Sequence, residues 1–147
     1  MDLRLIRETL AAQIRDNVAR GVTVYPFDPG ATRQPPCIVV EPAEPYAEYH
    51  DSDFGSAVIP VRLELVAHVV AGDQLSAAIA IDDFCSDVGS SSIKRAVEVS
   101  RSTTAGALGG MADDVVCDRV HRPVPASDTN ALTATFDVRV LARKEPI

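Results

Sequence analysis

The chain has 147 residues, 46% of them hydrophobic, and carries 21 acidic against 14 basic side chains for a net charge of −7. That length sustains one core without disulfide staples, and the acidic balance argues against tight binding of a phosphate backbone, which depends on Lys and Arg replacing counterions. Tryptophan is absent and only 5% of residues are aromatic, which argues against base-stacking platforms for single-stranded nucleic acid.

Cys37, Cys85 and Cys117 are odd in number, lack C-x-x-C spacing and each lie in an apolar stretch. They read as reduced thiols acting as small hydrophobes, which suits synthesis in the cytosol. The N-terminus has alternating charges instead of the apolar block of a signal peptide. No apolar run approaches the roughly 20 residues that span a bilayer, so a soluble protein is expected.

In chain order, Asp2 is the expected N-cap of an amphipathic helix with Leu3, Ile6, Leu10, Ile14 and Val18 on one face and Gly21 as its stop. Val22 to Tyr25 reads as a short strand ended by Pro26, followed by a turn-rich loop, DPGATRQPP. Cys37 to Glu41 reads as a second short strand, placed at or near an edge by the flanking prolines. Residues 42–56 are acidic and aromatic and are expected to form a long exposed loop or hairpin arm. Ala57 to Ala71 then alternates with period two: Ile59, Val61, Leu63, Leu65, Ala67 and Val69 lie on one side, with Arg62, Glu64 and His68 on the other. Asp73 begins an expected helix to about Val88, apolar enough that it must lie on a sheet. SIKRAVEV, opening after Ser92, fits a short helical turn or a strand equally.

The Gly-, Ser- and Thr-rich stretch 100–112 is expected to be a mobile loop. Val115 to Val120 reads as a strand leading into a final one, Asn130 to Arg143, in which Leu132, Ala134, Phe136, Val138, Val140 and Ala142 oppose Thr133, Thr135, Asp137 and Arg139. The two long alternating stretches pair most simply antiparallel at the centre of one sheet, with helices over the apolar face. The fold class expected is α+β: a single domain, 1–147, with a mostly antiparallel sheet and helices packed on one face.

No catalytic, metal or cofactor constellation is expected. Ser91 and Lys94 fit Ser-x-x-Lys but lack the companion motifs of that chemistry. His50, His68 and His121 are scattered. Cys117 and His121 are too far apart along a strand to share a proton. Asp51 and Asp53, Asp82 and Asp83, and Asp113 and Asp114 are acidic pairs of the kind common on wet surfaces. GALGG, residues 106–110, has no P-loop lysine.

The order of elements, with V-x-V-Y-P at Val22 to Pro26 and PPCIVVEP before a near-edge strand, resembles the tail terminator, or head-tail joining, proteins of long-tailed bacteriophages and prophages. The likeness covers nearly the whole chain. It implies a homohexameric ring at the tail-head junction of the virion. One face of the ring would cap the major tail tube protein and the other would meet the head-side connector or stopper protein, while DNA passes through unbound. It implies no enzymatic activity and no cofactor, and it carries over no fixed set of binding residues. An acidic balance suits a hole that DNA must traverse.

The residues themselves supply interface candidates: the wet stripe Arg62, Glu64, Thr135, Asp137 and Arg139, which carries both signs of charge, and the arm aromatics Tyr46, Tyr49 and Phe54. The 100–112 loop is a further candidate, ordering on contact with the tube. Two other readings remain open: a different neck or tail-completion protein, and a small ligand-binding or enzymatic domain with a pocket beneath the 100–112 loop.

Overall fold

In the computed structural model, which describes residues 1–49, 57–70, 72–101, 106–126 and 131–144, the chain forms α1 (Leu3–Asn17), β1 (Thr23–Tyr25), β2 (Cys37–Ala47), β3 (Val58–Val70), α2 (Gln74–Cys85), α3 (Ile93–Glu98), β4 (Ala112–Val120), β5 (Val124–Pro125) and β6 (Ala131–Arg143). The two alternating stretches, β3 and β6, pair antiparallel in unbroken register from Val58 opposite Arg143 to Val70 opposite Ala131. The sheet order is β1-β2-β3-β6-β4, with β5 extending the β4 side of β6. Among the described residues only β1 with β2 is parallel. The fold is α+β.

Period-two alternation decides which face is dry. Val61, Leu63 and Leu65 on β3 meet Val140, Val138 and Phe136 on β6, and all six are buried. One apolar cluster joins them to Ile6, Leu10 and Ile14 of α1, Ala77, Ile81 and Phe84 of α2, and Ile93, Ala96 and Val97 of α3. All three helices therefore cover one side of the sheet. Burying a side chain of this size contributes about 1.5–3 kcal/mol. Side chains cap the helices where the sequence leads one to expect it. Asp2 accepts the Leu5 N–H, Asp73 the Leu75 N–H and Ser92 the Arg95 N–H.

The structure corrects several expectations. Cys37–Ala47 is one long strand, so Pro42 to Ala47 belong to the β2–β3 hairpin and not to a loop. A register shift between Pro42 and Ala47 absorbs the prolines, and β1 covers only the Cys37–Val39 part of the outer edge. Residues 50–56 lie outside the described set. α1 ends at Asn17 and α2 at Cys85, short of the glycine stops, while the segment after Ser92 is helical.

The second half of the 100–112 stretch is not a free loop. Ala107 and Ala112 exchange backbone hydrogen bonds of 2.8 and 3.2 Å around a 3-10 turn at Leu108–Gly110, and Ala107, Leu108, Gly110 and Ala112 are buried. Gly106 makes this tight return possible: its φ is +89°, and a Cβ there would lie 2.6 Å from the Ala112 carbonyl oxygen. Residues 102–105 lie outside the described set.

Candidate functional site

The face of the sheet turned away from the helices has a covered part and an open part. Cys37, Val39 and His68, on its β2–β3 side, are buried even though His68 belongs to the stripe expected to be wet. The turn-rich 26–36 loop accounts for this. Arg33 Nη1 lies 3.2 Å from His68 Nε2, and Arg33 Nε lies 3.6 Å from Asp28. Arg7 ties the loop to α1, donating to the carbonyls of Pro26 at 3.0 Å and Val40 at 2.6 Å while its guanidinium stacks on Phe27 at 4.3 Å. Thr133, also expected to be wet, is buried beside β5, donating to the Val124 carbonyl at 3.1 Å.

The open part is a shallow concavity of about 230 Å³ lined by Glu44, Arg62, Glu64, Asp118, Arg119, His121, Asp137 and Arg139 together with Ala43, Leu63 and Val138. Four of the five expected stripe residues, Arg62, Glu64, Asp137 and Arg139, meet here. The fifth, Thr135, lies one row along the same face, opposite Val66.

Register sets the charge pattern. Glu41, Glu64 and Asp137 form a row of carboxylates across three adjacent strands, and Arg119 ends it. In the next row Arg62 faces Arg139. Arg119 and His121 lie 3.1 and 2.9 Å from Asp137, and Asp118 lies 3.4 Å from Arg139. The side chains of Arg62 and Glu64 have no hydrogen-bond or ion-pair partner among the described residues. Burial, with the negative charges of Asp28 and Glu64 beside it, raises the Glu41 carboxyl above its ordinary value.

The sequence reading missed Asp118, Arg119 and His121 as part of this face. A register shift between Cys117 and Arg119 inserts Asp118 as an extra residue, so Cys117 and Val120 both pair with core residues while Arg119 turns outward opposite Asp137. Simple alternation cannot locate such an insertion.

The aromatic candidates separate. Tyr46 is half-buried and packs on the chain's own core instead of standing exposed on a loop. Tyr49 is 57% exposed. Phe54 lies outside the described residues.

Ser92, next to Ser91, is the buried cap of α3, and Lys94 Nζ binds both carboxylate oxygens of Glu98 at 2.7 Å. A cleft of about 190 Å³ is lined by Cys85, Lys94, Cys117, Asp118, Arg119, Val120 and Phe136. Burial pushes the Cys117 thiol up to about 11 and raises Cys85 as well, which keeps both protonated and poorly nucleophilic at neutral pH. Among the described residues no group of three or more His, Cys, Asp or Glu is placed to hold a metal ion, and no helix is long and apolar enough to cross a membrane.

Among the described residues, the charged concavity and the outward side of α2 are both open to solvent. α2 lies on the sheet as expected, burying Ala77, Ile81 and Phe84 there, but its Leu75 and Ile79 are 70% and 56% exposed. No protein-family model matches the chain, and no curated protein is significantly similar to it.

Proposed function

We propose that the chain is a bacteriophage tail terminator: a structural subunit that assembles with copies of itself into a ring, hexameric by the resemblance, at the tail-head junction. The ring caps the major tail tube protein, meets the head-side connector and lets DNA through without holding it. The observation that carries this reading is the two-sidedness of the subunit. Helices cover one face of a single sheet and a bipolar charged concavity opens on the other, so unlike surfaces are offered in different directions, as head-to-tail ring contacts require. The element order behind the resemblance is the order of the fold, and the net charge of −7 suits a channel that repels phosphates in transit.

The test is the light-scattering mass of the purified protein, alone and with tail-tube protein, combined with micrographs of particles made without it. The reading expects a ring in one of the two preparations, and overlong tails that are not joined to heads. A chain that stays monomeric at high concentration and ignores the tube sinks it. Tails of normal length that lack only heads would indicate a different neck component.

A further inference from the structure

We infer that copies of this chain join helix layer to open sheet: the outward stripe of α2 lies along β3 and β6 of a second copy, over Pro60 and Leu141 and over Arg62 and Arg139. The inference rests on the ring reading in taking copies of the chain to associate, and it names the two surfaces that meet.

On α2 the residues turned away from Ala77, Ile81 and Phe84 include Leu75, Ile79, Asp82 and Asp83, all exposed. The outward side of the helix is thus apolar in its first half and acidic in its second. Neighbouring exposed aliphatic side chains of this kind mark contact surfaces on stable proteins. From Asp73 to Val88 the chain has four aspartates and no Lys, Arg or His. Two copies stacked α2 on α2 would set acid against acid, so the stripe calls for an apolar surface that continues into cations.

The open face of the sheet has that order. Pro60 stands opposite Leu141, and one step along the strands Arg62 stands opposite Arg139, with Val116 of β4 beside it. All five share the side away from the helices, because the residues alternating with them, Ile59, Val61, Val115, Val140 and Ala142, are buried. Pro60, Leu141 and Val116 are half-buried, while Arg62 and Arg139 are exposed. Successive outward residues on a strand are about 6.7 Å apart, and Asp82 and Asp83 follow Ile79 by about 5 Å along the helix axis. With Ile79 seated on Pro60 and Leu141, the two aspartates reach the two arginines. Arg62, without an ion pair among the described residues, gains one. α2 ends at Cys85, about 9 Å beyond Ile79 and short of Glu64 and Asp137, which stand about 13 Å beyond Pro60 and Leu141. Like charge is therefore not set on like. The two surfaces lie on opposite sides of one subunit, so each copy keeps one of them free until a ring closes.

Cross-linking tests it directly, on the intact chain, with wild type as the control for Cys85. Ile79→Cys and Leu141→Cys chains, each inert to mild oxidation alone, are expected to form a covalent pair when mixed, and a chain with both substitutions is expected to give a ladder longer than two. Asp83→Arg and Arg62→Asp should each raise the concentration needed for assembly about tenfold, and together restore it. A double-variant ladder that stops at two would keep the contact and overturn the ring. Cross-linking of Ile79→Cys to itself overturns the contact in favour of helix on helix, and of Leu141→Cys to itself in favour of sheet on sheet. Charge variants that weaken binding to tube protein and leave self-association unchanged assign the stripe to the tube and overturn it as well. A ring-sized mass without any mixed cross-link also overturns it while leaving the ring reading intact, and a monomer that never cross-links, with or without tube protein, removes both.

Discussion

Arg62 on β3 and Arg139 on β6 stand directly opposite one another on the open face of the sheet, and the next pair along that face, Glu64 and Asp137, is again like on like. Like charges directly across a ladder are destabilising. Asp118 relieves Arg139, and Arg119 with His121 relieve Asp137, but Arg62 and Glu64 on the β3 side have no such relief among the described residues. The face is thus electrostatically unbalanced among the described residues of the chain. Arg62→Thr removes the repulsion and supplies a good strand former. It should stabilise the chain by about half a kcal/mol, the scale of such cross-strand pairs, read as a higher urea midpoint. A lowered midpoint would mean that the Arg62 stem contributes packing that outweighs its charge.

Glu41 gives the same face a pH dependence of known sign. The groups acting on it are Asp28 and Arg33 from the loop, Glu64 from β3 and Arg7 from α1, and the balance with burial raises its folded pKa above the ordinary 4.5. The folded state therefore binds the proton more tightly than the unfolded one. Glu41's contribution to stability is fully present below about pH 4.5 and is lost as pH rises through the raised folded value. Glu41→Gln removes that loss. Urea melts of the two proteins should coincide at low pH and separate above it, with the variant the more stable at pH 7. Curves that stay parallel throughout would contradict the shift.

The sheet's centre was legible in the sequence because strict alternation over thirteen-residue strands leaves a single choice of dry face. Leu65 and Phe136 pair across that centre and both are buried. Leu65→Ala should cost about 2–5 kcal/mol and Phe136→Ala about 3–5, read from the denaturant midpoint. Because they touch, the double variant should cost less than the sum. What the sequence hid is of another kind. The shift at Asp118 inserts one residue without changing composition, and His68 is dry only because the distant Arg33 loop lies over it. Leu75 and Ile79 look like core residues in any local pattern, and only the placement of α2 on β3 and β6 shows that half the helix is left facing out.

Cys117 tests the enzymatic alternative. Its thiol, pushed up to about 11 by burial, should react with iodoacetamide in the native protein at pH 8 far more slowly than a free cysteine, and at the ordinary rate once urea unfolds the chain. Rapid native alkylation at that residue would reopen the case for a nucleophile in the cleft that it shares with Cys85 and Lys94.

Glu98 has a task that periodicity cannot reveal, and it yields the sharpest stability prediction. β4 ends the sheet order, so its outer side is an edge available to other strands. From α3, Glu98 reaches that strand and accepts the Cys117 N–H at 2.9 Å, while Lys94 grips both its oxygens at 2.7 Å and Arg101 stands at 3.9 Å. Its carboxylate thus ties α3 to β4 and blocks the edge at Cys117. Glu98→Ala leaves that amide unpartnered in a largely enclosed position, at a cost of about 1–3 kcal/mol. It also frees the edge. The variant should unfold at lower urea and, under conditions where wild type stays clear, scatter light and bind thioflavin as strands add to β4. Glu98→Gln keeps an acceptor for the amide and gives up the charge that holds Lys94, so it should recover the solubility and only part of the stability. If both variants stay as soluble as wild type, the edge is guarded by something other than this carboxylate.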